Sequence, residues 1–127
     1  MNILMIDDDI ALQRSYSNVL ERSGFQVTSV ASEEAAMDAL RAGSFDVILC
    51  DIILPGTDGT TVYEHLSQEY PEMEARVVFI TGNMGDDKVR RLVEHTGRPC
   101  LEKPVELKEL VATVQIIATQ SSGKSSG

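Results

Sequence analysis

Asp51 sits where two kinds of sequence meet. Phe45-Asp46-Val47-Ile48-Leu49-Cys50 runs up to it with the apolar density of a buried strand, and Pro55-Gly56 and Asp58-Gly59 turn the chain just beyond it. A carboxylate is a nucleophile and a ligand for hard cations, and it is seldom buried without a partner. Three more polar groups hold the same kind of position. Asp7-Asp8-Asp9 follows Ile3-Leu4-Met5-Ile6, Thr81-Gly82 follows Val77-Val78-Phe79-Ile80, and Lys103-Pro104 follows a short run at Cys100-Leu101. If these runs are parallel strands, their carboxyl ends share one edge, where open α/β sheets place ligands. Gathered there, two carboxylates about 5 Å apart would repel by roughly 3 kcal/mol at an effective dielectric near 20. A divalent cation removes that penalty, and Mg²⁺ accepts carboxylate, water and phosphate oxygens.

The elements needed to bring these groups together are legible between them. The five apolar runs, counting Phe25–Val30, alternate with stretches of helical period. Leu12, Tyr16, Val19 and Leu20 step along one helix that Gly24 stops. Ser32 caps a second carrying Ala35, Ala36, Ala39 and Leu40, ended near Gly43. A third runs from about Thr60 through Val62 and Leu66 to Tyr70, and Asp86 caps a fourth with Val89, Leu92 and Val93 inward and Gly97 beyond it. Pro104 opens the last, with Leu107, Leu110, Val111, Val114 and Ile117 as its apolar stripe. Three strands are apolar without alternation, as strands covered on both faces are. This order predicts an α/β fold, a doubly wound five-stranded parallel sheet with helices on both faces.

With 127 residues, the chain reads as one domain able to bury roughly two-thirds of its unfolded surface. A net charge of −9 argues against direct binding of nucleic acid, which needs a basic footprint. Apolar runs fall short of the ~20 residues of a membrane span and the N-terminus lacks a signal-peptide pattern, so the expectation is a cytoplasmic protein. Cys50 and Cys100 read as reduced thiols without metal-ligand partners at spacing. Residues 121–127, SSGKSSG, read as a flexible tail, a linker or expression scar, leaving 1–120 as the domain. His65 and His95 read as surface residues, and Lys88, Arg90 and Arg91 as a solvated helix face or partner surface.

Taken in order, the acidic pair Asp7-Asp8, the pattern D-x-x-L-P-G-x-D-G from Asp51, Thr81-Gly82 and Lys103-Pro104 make the chain resemble the receiver domain of two-component response regulators, over residues 2 to about 119. The resemblance implies a flavodoxin-like (βα)5 sheet in the order 2-1-3-4-5 and a phosphorylation-controlled signalling switch. Asp51 would be the phosphoacceptor, Thr81 the switch hydroxyl and Lys103 the phosphate contact. Asp7, Asp8, Asp51 and the backbone carbonyl of Ile53 would hold Mg²⁺. The phosphoryl donor would be a histidine kinase or a histidine phosphotransfer domain. The loop and helix after the fourth strand would then change to alter binding of a downstream output domain or protein. Such a domain catalyses only its own phosphorylation and dephosphorylation, and some pair through the face of the fourth helix, fifth strand and fifth helix. The stretch GRPCLEKP, residues 97–104, is similar to receivers at the end of hybrid histidine kinases. A stand-alone regulator, a larger regulator and a hybrid kinase all stay open as readings.

Two positions depart from the family pattern. Cys100 stands where an aromatic gate residue is usual, and Ile53, two after Asp51, offers no hydrogen bond to a hydrolytic water. Two other functions compete. A Mg²⁺-dependent aspartyl phosphohydrolase would need a second acid and a substrate-holding insertion. A degenerate receiver acting as a constitutive binding module is opposed by the intact acids, Thr81 and Lys103.

Overall fold

The structure is a computed structural model that describes residues 1–54 and 56–126, with side chains through Gln120. Strands β1 (Asn2–Ile6), β2 (Gln26–Val30), β3 (Val47–Asp51), β4 (Val77–Thr81) and β5 (Cys100–Glu102) pair in parallel throughout. Their order across the sheet is β2-β1-β3-β4-β5, the order expected. The helices are α1 (Ile10–Arg22), α2 (Glu33–Ala42), α3 (Gly59–Glu69), α4 (Asp87–Thr96) and α5 (Leu107–Ser126).

The strands lack hydrophobic alternation because each face has its own core. Leu4, Ile6, Ile48, Cys50, Val77 and Phe79 point to one side, where Ala36 and Leu40 of α2, Val62 and Leu66 of α3, and Val89 and Leu92 of α4 cover them. Ile3, Met5, Val47, Leu49, Val78 and Ile80 point to the other, under Tyr16 and Leu20 of α1 and Leu110, Val114 and Ile117 of α5. Removing a ring such as Phe79, which is fully buried, would cost about 3–5 kcal/mol. β2, at the edge, is largely open to solvent and accordingly carries Gln26, Thr28 and Ser29.

Four helices begin at the sheet's carboxyl edge on side-chain caps. Asp9, Ser32, Asp58 and Asp86 accept the N–H groups of Leu12, Ala35, Thr61 and Lys88 at 3.0, 3.2, 2.9 and 2.8 Å. Each cap is worth about 1 kcal/mol and fixes where the preceding loop ends. Gly97 closes α4 at φ +68, a conformation that disfavours any side chain.

The last helix differs from expectation at its start. It begins at Leu107 rather than Pro104, and Leu107 is 44% exposed instead of part of the stripe. The reason is Val105, which is buried and whose N–H faces the Tyr16 hydroxyl at 3.4 Å. Seating Val105 against Tyr16 of α1 delays the winding of the helix. The inward stripe is Leu110, Val114, Ile117 and Ala118. Two small elements were not expected: a hairpin pairing Ile53–Leu54 with Thr57–Asp58, and a 3-10 helix over Pro71–Arg76. The tail expected over 121–127 lies outside the residues whose side chains are described.

Candidate functional site

Asp51 is the last residue of β3 and only 6% exposed. Its Oδ1 accepts the N–H of Ile53 at 3.1 Å, and its Oδ2 accepts the ammonium of Lys103 at 2.8 Å. The loop beyond is held close. Gly59 N–H donates to the Ile52 carbonyl at 2.6 Å, and a Cβ on Gly59 would lie 2.9 Å from Ile52 Cα. That approach admits only glycine.

Lys103 bridges two carboxylates. Its Nζ also lies 3.1 Å from Asp7 Oδ2, at ion-pair distance but out of line for a hydrogen bond, so that buried oxygen keeps an unfilled acceptor site. Asp7, at the end of β1, has its Oδ1 occupied by Asp9 N–H at 2.9 Å. Asp8 beside it is exposed. Asp7, Asp8 and Asp51 each bring an oxygen to within 4.8 Å of the others. All-oxygen donors, an unfilled buried acceptor and mutually repelling charge fit a small hard cation such as Mg²⁺.

Burial pushes the Asp51 pKa above its ordinary value, against the opposing pull of Lys103 and the Ile53 N–H. Burial alone would lower that of Lys103, but the hydrogen bond and charge of Asp51, with the charge of Asp7, outweigh it and raise it. The ammonium is thus kept charged by its two neighbours, while the carboxylate is held in a setting that disfavours its charge.

Thr81 ends β4 and is 1% exposed, with its hydroxyl accepting Asn83 N–H at 3.2 Å. Its carbonyl accepts Lys103 N–H at 2.7 Å, which ties the threonine and the lysine through adjacent strands. Ile53 is 72% exposed, a large apolar side chain at the mouth of the site. Asp7, Asp8, Asp51, Thr81 and Lys103 therefore meet at one edge, as their places after apolar runs predicted.

Other residues lie outside that set. His65 Nδ1 meets Glu33 at 2.9 Å between α3 and α2. Arg90 pairs with Asp87 on exposed α4. Gln13 and Glu102 were missed by sequence reasoning. Gln13 lies with Tyr16 and Leu20 on the inward stripe of α1, and a carboxamide at that phase was a readable signal. Glu102, whose Oε2 accepts Met84 N–H at 2.9 Å, carried none.

A five-stranded doubly wound sheet with acids, a hydroxyl and a lysine at its carboxyl edge defines a receiver. The family model for the response regulator receiver domain matches residues 3–115, and the chain belongs to that family. It is similar to the phosphate regulon transcriptional regulatory protein PhoB of Escherichia coli K12, 29% identical over 120 residues, covering 94% of this chain and 52% of that protein. It is also similar to the sensor kinase CckA of Brucella abortus, 27% identical over 115 residues, 89% of this chain and 12% of that one. A CheY-like response regulator receiver domain from Methanospirillum hungatei JF-1 shares the fold, with TM-score 0.86, 24% identity and 97% of each chain covered. The chain spans about half or less of the length of these curated relatives. Among the described residues, no helix is long and apolar enough to cross a membrane.

Proposed function

We propose that this receiver is a Mg²⁺-dependent phosphorylation switch with Asp51 as its phosphoacceptor. The observation that carries the reading is the Lys103 ammonium, 2.8 Å from Asp51 Oδ2 and 3.1 Å from Asp7 Oδ2 at the edge of a parallel sheet. In the step proposed, an Asp51 oxygen attacks the phosphorus of a phosphohistidine on a kinase or phosphotransfer domain. An O–P bond forms, the P–N bond breaks, and the electron pair returns to the imidazole. Bound Mg²⁺, held by Asp7, Asp8, Asp51 and the Ile53 carbonyl, would offset negative charge on the phosphoryl oxygens.

The chain's own groups do the rest. Lys103 moves its grip from Asp51 Oδ2 to a phosphoryl oxygen, as a point charge that tolerates the change of partner. The Thr81 hydroxyl leaves Asn83 N–H and donates to another phosphoryl oxygen. That motion draws the segment from Gly82 to Gly85 and the start of α4, which biases a two-state equilibrium. Partner binding then changes at the exposed face of Lys88, Arg90 and Arg91.

The test is incubation with Mg²⁺ and a small phosphodonor such as acetyl phosphate, followed by intact mass spectrometry. One acid-labile phosphoryl group is expected on the wild type and none on Asp51→Asn. Equal labelling of the two would overturn the assignment.

A further inference from the structure

Gln13 is 8% exposed on α1, and a buried carboxamide is costly unless its hydrogen-bonding groups are met. Its Nε2 donates to the Asp7 carbonyl at 2.5 Å and to the Val30 carbonyl at 2.7 Å, so both N–H groups are used. Asp7 N–H donates to the same Val30 carbonyl at 3.1 Å, and Asp7 Oδ1 accepts Asp9 N–H at 2.9 Å. The residue is therefore held at its N–H, its carbonyl and its side chain. Asp8 differs: among the described residues its exposed carboxylate makes no hydrogen bond. Its direction is set by the backbone that leads into it, and the carbonyl of that peptide is the one Gln13 grips.

The geometry points to Gln13 as a positioning residue of the cation site. Its carboxamide ties the turn between β1 and α1 to the end of β2, so that Asp7 and Asp8 present their oxygens toward Asp51. A neutral donor suits this place. Arginine or lysine would reach the same carbonyls but would add positive charge beside a site for a divalent cation. The assignment rests on the reading that Asp7, Asp8 and Asp51 hold Mg²⁺. Outer partners that orient metal ligands typically change metal affinity by 10–100-fold when removed. A residue that merely fills the core changes stability and leaves affinity alone.

The experiment is Mg²⁺ titration of the 127-residue chain by calorimetry, with amide chemical shifts as a second readout. Gln13→Met keeps the length and removes the donors, and it should weaken Mg²⁺ binding about tenfold or more. Gln13→Asn, which keeps the carboxamide but draws it back by one methylene, should weaken it in the same direction. Val114→Ala, a buried change on α5, should lower the melting temperature and leave Mg²⁺ affinity within about twofold, the expectation for a site not positioned by that residue. Wild-type affinity in both Gln13 variants overturns the proposal alone, as does equal weakening in Val114→Ala. A wild type that takes up no Mg²⁺, or an Asp8→Ala variant that binds it equally well, overturns the cation reading and this proposal with it.

Discussion

The backbone N–H of Met84 donates to Glu102 Oε2 at 2.9 Å, joining the loop after β4 to the end of β5. The same loop is folded on itself, with Asn83 Oδ1 accepting Gly85 N–H at 3.0 Å and Thr81 Oγ1 accepting Asn83 N–H at 3.2 Å. In the proposed switch, movement of Thr81 toward a phosphoryl group would draw this segment with it, and the Glu102 contact would hold the loop in its resting arrangement. Cys100, half-buried on the same strand, is too small to fill the volume that a displaced threonine leaves.

Glu102→Ala should therefore shift the loop toward its active arrangement. A lost hydrogen bond to a charged acceptor, about 1–2 kcal/mol, corresponds to a rise of about 5- to 30-fold in apparent affinity for the phosphoryl mimic beryllium fluoride. Amide shifts should change most from Gly82 to Arg91 on adding the mimic, and less around Cys100. Unchanged affinity in the variant, or shifts centred on Cys100, would contradict this coupling.

Asp51→Asn should raise the melting temperature without Mg²⁺ at neutral pH. Burial lifts the Asp51 pKa above the ordinary 3.8, so the folded state holds the proton more tightly than the unfolded one. The stability linked to that proton is fully present below 3.8 and lost as pH rises through the raised value. The variant's advantage should thus be a few degrees near pH 7, with ~1 kcal/mol worth about 4 °C in a domain of this size, and should shrink on acidification. Thermal melts by circular dichroism from pH 8 to pH 4 check the sign. An advantage that grows as pH falls would reverse the argument.

Ile53, exposed two residues after Asp51, has an apolar side chain that cannot order a hydrolytic water. The phosphorylated chain should accordingly decay slowly, and Ile53→Asn should hasten the decay by about tenfold, 1.4 kcal/mol of barrier. Loss of the label over time in the two proteins is the measurement. A slower or unchanged decay in the variant would remove the shielding role.

The two thiols should separate by reactivity. Cys50 is buried in the apolar core, and burial first, then the charge of Asp51, pushes its pKa far up. Burial and Glu102 push that of Cys100 up to about 11. Only the thiolate alkylates. Iodoacetamide on the native chain should label Cys100, faster as pH rises toward about 11, and leave Cys50 untouched until unfolding. Peptide mapping would expose the opposite preference at once.

Much of the site was decided by one-dimensional order. Asp7, Asp8, Asp51, Thr81 and Lys103 each follow an apolar run, and parallel strands have one carboxyl edge, so the alternation of strand and helix was enough to gather them. The caps Ser32 and Asp86 were likewise local, since a cap bonds N–H groups two or three residues on. What stayed hidden were contacts whose partners are distant in the chain. Gln13 reaches Val30, Glu102 reaches Met84, and Arg98 donates to the carbonyls of Val77 and Ala75 at 2.9 and 2.8 Å. A side chain that bonds a remote backbone group does so because packing and strand register bring that group within about 3 Å, and neither is written in the spacing of residue types. Leu107 shows the same limit from the other side. Its phase was right for the stripe of α5, but seating Val105 near Tyr16 delayed the helix, and only the packed structure could set that start.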